Sequence, residues 1–211
     1  MLTFYYHPLS PIARRVWLAL LEKEIPFEAK TVNLTGEQFK PEFLALNPFH
    51  HVPVVVDQGL TLIESLAILD YLEANYPQTA LMPDSPAEIA KTRMVQMIVV
   101  NELTTKIPRL GAASDLAEID LAPIDTALKF ISEKLGDNPY FGGNSLSIAD
   151  IIAGSTLPLI CRLGISLQSY PNLEQWYQQI SQRPSWQQTE PSEAEFQLWR
   201  RWIKRKMERR S

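Results

Sequence analysis

The sequence predicts a small α/β domain followed by an all-helical one, and three observations predict it. From Leu2 to Tyr76, period-two apolar stretches alternate with helical ones in the order βαβ, α, ββα. Pro77, Pro83 and Pro86 then punctuate a linker. Beyond them the apolar periodicity is helical almost throughout. The expected boundaries are residues 1–77 for the first domain and 87–211 for the second.

The first strand is read at Leu2 to Tyr6, where Leu2, Phe4 and Tyr6 share one face and Tyr5 points to the other. A helix follows from about Ser10 to Lys23, with Ser10 as a natural cap ahead of Pro11. A second strand falls around Phe27 to Val32, then a helical piece at Gln38 to Leu46 that runs into Asn47-Pro48. The strand Val52 to Val56 turns at Asp57-Gln58-Gly59 into the strand Leu60 to Ile63, and a helix spans Glu64 to Tyr76. In the second domain the spacing predicts helices at Ala87 to Lys106, Asp120 to Lys134, Ser147 to Leu163 and Asn172 to Ser181. Ser147-Ile148-Ala149-Asp150 reads as a capping box, a folding element worth on the order of 1 kcal/mol per cap.

Composition bounds the function. The chain has 211 residues, 45% of them hydrophobic, enough to bury a substantial core. Its longest apolar stretch, Ile151 to Cys161, contains glycine and proline and is too short to span a bilayer. With no basic segment leading into an apolar run near Met1, an intracellular, cytoplasmic protein is expected. The single cysteine, Cys161, allows no internal disulfide and no zinc cluster, and its apolar context suits a buried, inert thiol. Neither a GxGxxG nor a phosphate-binding loop occurs, which argues against a nucleotide enzyme.

Charge is distributed unevenly. The net charge of −4 conceals a stretch from Glu193 to Ser211 with seven basic and three acidic side chains, so the preceding part carries −8. Phe196, Trp199, Trp202 and Ile203 recur there at helical steps while Arg200, Arg201, Lys204 and Arg205 face elsewhere. A docked helix with a solvated basic face is the expectation; contact with a membrane surface or a nucleic acid is the alternative.

The segment around Val52-Pro53-Val54 carries the most chemistry. A proline between apolar β-formers belongs at a sheet edge or turn, often in the cis form. It leaves the main chain of Val52 able to grip an extended peptide as an added strand. Eleven residues after the proline, Glu64-Ser65 opens a helix whose free N–H groups and positive dipole end favour a carboxylate. Together they suit a short peptide.

These motifs carry a resemblance. His7-Pro8-Leu9-Ser10-Pro11-Ile12-Ala13-Arg14-Arg15-Val16, then Asn47-Pro48-Phe49, Val52-Pro53, Glu64-Ser65 and Ser147-Ile148-Ala149-Asp150 resemble, in order and spacing, a cytosolic glutathione S-transferase. Matches run from residue 2 to about 185. The first segment is most similar to the serine-type classes, and the whole to small bacterial and cyanobacterial members, the chi class among them. The resemblance implies a thioredoxin-like N-terminal domain that binds glutathione as co-substrate and a helical domain that completes the site for a hydrophobic electrophile. It also implies a homodimer, detoxification by conjugation, and peroxide reduction as a side activity, with no metal. A non-catalytic, transferase-like binding or interaction protein is the alternative.

Residue by residue, the resemblance makes Ser10 the donor to the glutathione thiolate. Tyr6 stands where tyrosine-type classes carry a catalytic phenol, although its strand face also suits an ordinary core tyrosine. Glu64 and Ser65 take the γ-glutamyl end, and Val52, ahead of Pro53, pairs with the cysteinyl main chain. His51 stands where many members have glutamine or lysine, and Lys40 could supply charge to the glycyl carboxylate in place of the common His-Lys pair. His50 and His51 could donate hydrogen bonds there; adjacent residues of an extended segment point apart, which disfavours a metal site between them. Leu9, Glu102, Thr105 and Trp199 are candidates for the electrophile wall, where an apolar surface would favour hydrophobic electrophiles.

Overall fold

The computed structural model describes residues 1–208. The chain divides into two compact units, Met1–Ala80 and a second from Leu81 onward.

In the first unit, β1 (Leu2–Tyr6), β2 (Phe27–Thr31), β3 (Val54–Asp57) and β4 (Leu60–Ile63) form one sheet in the order β2-β1-β3-β4. β1 and β2 run parallel, joined through helix α1 (Pro11–Glu22); β3 lies antiparallel to β1, and β4 antiparallel to β3. Period-two burial appears as expected at Leu2 and Phe4, and Val54 and Val55 are fully enclosed. Helix α3 (Ser65–Asn75) packs with α1, burying Leu18, Ile68, Leu69 and Leu72. The arrangement is thioredoxin-like.

Several boundaries differ from the sequence reading. The third strand begins at Val54, so Val52 and Pro53 precede the ladder; Val52-Pro53 is a cis peptide, as a proline in that position suggested. The helical piece expected at Gln38 to Leu46 splits into a 3₁₀ turn, Glu37–Phe39, and a short helix α2 (Pro41–Leu44), because extended Lys40 precedes a proline that cannot continue the turn. At the hairpin, Gln58 and Gly59 have φ 50° and 84°, the pair of left-handed conformations that a tight two-residue turn requires. Asp57, buried beneath that turn, accepts hydrogen bonds from Tyr71 Oη at 2.9 Å and Tyr76 Oη at 2.6 Å, tying the hairpin to α3.

The second unit is helical: α4 (Pro86–Ile98), α5 (Ile107–Ala112), α6 (Ala122–Leu135), α7 (Ile148–Arg162), α8 (Pro171–Ser181), α9 (Pro184–Thr189) and α10 (Glu193–Glu208). The single helix expected from Ala87 to Lys106 is interrupted by a π turn at Val99–Leu103 and a 3₁₀ turn at Thr104–Lys106. Two causes are visible. Pro108 has no N–H to return to the carbonyl four residues back, and Thr104 Oγ1 bonds back to Val99 O at 3.0 Å.

Helix α7 is the core of this unit, with twelve of its fifteen residues buried. Its Ser147-to-Asp150 box forms: Asp150 accepts from Ser147 N–H (2.8 Å) and Oγ (2.7 Å). The same buried carboxylate also accepts from Phe141 N–H (2.9 Å) and Trp176 Nε1 (2.8 Å). The box is therefore a junction between α7, the preceding loop and α8. Cys161 is half-buried, with its thiol pushed up to about 11 by burial and by Glu174, which suits the inert thiol expected.

Candidate active site

Strand register assembles the site. Tyr5 pairs with Val54, and Val54 with Ile63, so the three residues form one row across the sheet. β1 leaves that row toward Ser10, β3 enters it from Val52-Pro53, and β4 leaves it toward Glu64-Ser65. Three segments distant in sequence thus converge on one end of the sheet. At a strand spacing of about 4.8 Å, β1 and β4 lie about 10 Å apart, a span that suits an extended di- or tripeptide.

The loop His7–Ser10 is drawn tight by Ser10 N–H donating to His7 O at 2.9 Å and by Leu9 N–H donating to His7 Nδ1 at 3.1 Å. Burial lowers the His7 pKa from its ordinary value, in keeping with an imidazole whose Nδ1 is an acceptor. Ser10 caps α1: its Oγ accepts from Ala13 N–H at 3.2 Å, and Pro11 occupies the first helical position, where no N–H is needed. The hydroxyl is half-buried at the positive end of a twelve-residue helix.

Tyr6 lies on the face shared with Phe4, against whose ring it stacks at 5.0 Å, and Trp17 meets it edge-on at 4.8 Å. Its ring is a packing element between β1 and α1. Tyr5, on the opposite face, meets Phe43.

Val52 and Pro53 are buried, and the strand ladder starts two residues after Val52. Asn47 fastens this approach. Buried itself, it donates from Nδ2 to His51 O at 2.8 Å and accepts at Oδ1 from Phe49 N–H at 3.0 Å. The sequence reading gave Asn47 no role; an asparagine before proline, leading into a cis-proline segment, was the available signal. His51 is exposed, with its ring 5.0 Å from that of His50. Lys40 is exposed at the junction of the 3₁₀ turn and α2, on the connection that leaves β2 from the same end of the sheet. Register does not bring it into the row that the other residues share.

At α3, Glu64 takes φ 67° and ψ 113°, and no side chain caps the helix. A non-glycine residue in the left-handed region costs on the order of 1 kcal/mol, and such residues cluster where function requires them. The conformation leaves the exposed Glu64 carboxylate beside Ser65, which is buried at the first helical position. A negative group, a hydroxyl and uncapped N–H groups therefore sit together, complementary to a zwitterion.

Of the residues suggested for an electrophile wall, Trp199 is a core residue of the second unit. A Cβ at Gly111 would meet its Cη2 at 3.0 Å, and Phe196 stacks on it. Thr105 Oγ1 is engaged with Asn101 O at 2.6 Å, Glu102 is exposed, and Leu9 is half-buried in the first unit. Among the described residues, no group of three or more His, Cys, Asp and Glu side chains is placed to hold a metal, and no helix is long and apolar enough to cross a membrane.

Both units match domains of known proteins. The model of the glutathione S-transferase N-terminal domain matches residues 4–80, and that of the C-terminal domain residues 89–184. Glutathione S-transferase D7 of Drosophila melanogaster is 29% identical over 198 residues, 89% of this chain and 88% of its own length. Glutathione S-transferase U1 of Arabidopsis thaliana is 30% identical over 183 residues, 82% of this chain and 81% of its own. Among solved structures, a delta-class glutathione transferase of Nilaparvata lugens superposes with a TM-score of 0.82 at 27% identity, covering 97% of this chain and 99% of that one. A glutathione S-transferase from Rhodospirillum rubrum F11 gives 0.72 at 32% identity, covering 92% and 94%.

Proposed function

The chain belongs to the glutathione S-transferase family, and from that premise we propose that it is a serine-type transferase. On this reading Ser10 holds the glutathione thiol as thiolate for addition to hydrophobic electrophiles. The observation that carries the reading is the convergence of Ser10, Val52-Pro53 and Glu64-Ser65 on one end of the sheet through the row Tyr5, Val54, Ile63. Membership makes the protein a glutathione S-transferase enzyme.

Glutathione supplies the nucleophile, a thiol that reacts as its anion. Ser10 contributes a hydroxyl hydrogen at the positive end of α1, two effects that favour a negative sulfur over a neutral one. Val52 offers main-chain groups beyond the end of the ladder for an extended peptide, held in place by Asn47. The γ-glutamyl end carries both an amine and a carboxylate; Glu64 complements the first, and Ser65 with the uncapped start of α3 the second. His51 and Lys40 serve the glycyl carboxylate. Tyr6, stacked between Phe4 and Trp17, is the lesser choice for thiol activation.

Residues 1–77 then form the glutathione-binding domain and residues 87–211 the domain completing the electrophile site. The reading extends to detoxification in the cytoplasm, to peroxide reduction with the same thiolate, to a homodimer, and to the chi class, which the resemblance of the chain as a whole suggests.

Calorimetric titration with glutathione, paired with ultraviolet difference spectra of bound thiolate across pH, tests this. Binding with a thiol pKa below that of free glutathione supports the activating site. Binding without thiolate at neutral pH, or no binding, sinks it.

A further inference from the structure

Helix α10 presents two faces, and the family's reaction accounts for neither the composition nor the placement of the outer one. The inner face is fixed: Phe196, Trp199 and Ile203 are 5%, 5% and 7% exposed, and α10 packs on α5, where Gly111 admits the Trp199 ring. At its start, Arg162 grips the helix, donating to Glu193 Oε2 at 2.8 Å and to Pro191 O at 2.8 Å, with its guanidinium 4.1 Å from the Phe196 ring. The outer face is therefore a surface held in place.

Along it, Leu198, Arg201, Trp202 and Arg205 follow one another at steps of three, one and three residues, which on a helix places them on a single solvent-facing stripe about 10 Å long. Leu198 is 53% and Trp202 37% exposed, both large and apolar. Exposed Lys204 and Lys206 flank the stripe, the Lys206 ammonium lying 4.8 Å from the Trp202 ring. Of the acids of α10, Glu193 is turned to Arg162 and Glu195 to Ser192, both at the first turn, while Glu208 lies one turn beyond Arg205 on the same side as the stripe and lessens its positive charge at that end.

We propose that this face docks the protein on an anionic lipid surface, with α10 remaining packed on α5. An exposed leucine and indole interleaved with Arg201 and Arg205 and flanked by Lys204 and Lys206 match a bilayer interface, where the ring settles at the headgroup level and the cations meet lipid phosphates and carboxylates. Leu198, 53% exposed, offers a nucleic acid neither charge nor a ring to stack on, and so favours the lipid surface. The −8 carried by residues before Glu193 confines the attraction to this helix.

The test is co-sedimentation of the full chain with phosphatidylcholine–phosphatidylserine vesicles and with phosphatidylcholine vesicles, at low and high salt. Binding to the anionic vesicles, weakened by salt, is expected. Arg201→Gln/Arg205→Gln should weaken it about 25-fold, about five-fold per cation, and Trp202→Ser should reduce it again at constant charge. All three side chains point outward, so unchanged circular dichroism and glutathione binding distinguish lost docking from lost folding. Absence of binding to anionic vesicles, or equal binding by the double variant, overturns the proposal. So does tighter binding to a DNA duplex than to vesicles, or a dimer in light scattering that the double variant dissolves, since the face would then serve another partner.

Discussion

Ser10 Oγ accepts a hydrogen bond from Ala13 N–H at 3.2 Å. Because the oxygen is the acceptor in that bond, the hydroxyl hydrogen is still available to give to a sulfur, and capping orients the group toward the helix end where negative charge is favoured. One side chain thereby joins a structural to a chemical role. Ser10→Ala should lower turnover about ten- to a hundredfold, the loss of one hydrogen bond to a charged group, and raise the bound thiol's pKa. Tyr6→Phe should leave that pKa unchanged. The reverse result in thiolate spectra would transfer the role to Tyr6.

Asn47 holds the Val52 approach through two hydrogen bonds, to His51 O and from Phe49 N–H. Asn47→Ala should therefore weaken glutathione binding with little change in the thiol pKa, because it loosens the peptide grip without touching Ser10. Ser65→Ala should weaken binding in the same way. Calorimetry together with thiolate spectra separates the two effects.

The pH dependence of the first loop follows from His7. Its folded-state pKa lies below the ordinary value of 6.5, so the folded protein binds the proton less readily than the unfolded chain. The stability it contributes is complete above 6.5 and is lost as pH falls through the lowered value. Protonation would also remove the acceptor that Leu9 N–H uses. An NMR titration should place the His7 midpoint below 6.5, with Leu9 and Ser10 amide shifts moving in step; a midpoint above 6.5 would contradict this.

In α7, Pro158 has no N–H for the carbonyl of Gly154, four residues back, and Trp186 Nε1 donates to that carbonyl at 2.9 Å instead. The indole can approach only because residue 154 lacks a Cβ, which would lie 2.6 Å from Nε1. Gly154→Ala should cost about 1–3 kcal/mol by overpacking, and Trp186→Phe a similar amount by leaving a buried carbonyl unpaired. Chemical denaturation measures both.

Asp150 accepts four hydrogen bonds in a fully buried position. Burial raises its pKa, while Phe141 N–H, Ser147 and Trp176 oppose that shift. Asp150→Ala would strand four donors on three residues from three different segments, and a loss on the order of 3 kcal/mol or more is expected. A loss below 1 kcal/mol would reduce the residue to an ordinary cap.

Local chemistry was legible in the sequence. Period-two and helical repeats, the Asp57-Gln58-Gly59 turn, the Ser147-to-Asp150 box and the special Val52-Pro53 peptide all depend on residues near one another, and each appears in the structure. The α/β unit followed by a helical one was legible for the same reason. Tertiary structure decided what joins distant segments. Strand register, set by which faces must be buried, aligned Tyr5 with Val54 and Ile63 and so brought Ser10, Val52 and Glu64 to one end of the sheet. Packing made Trp199 a core residue and left Trp202 outside. It also gave Asp150 two partners beyond its cap and lent Gly154 the indole of Trp186. A buried polar group must find a donor or acceptor wherever the fold provides one, and spacing along the chain does not say where that will be.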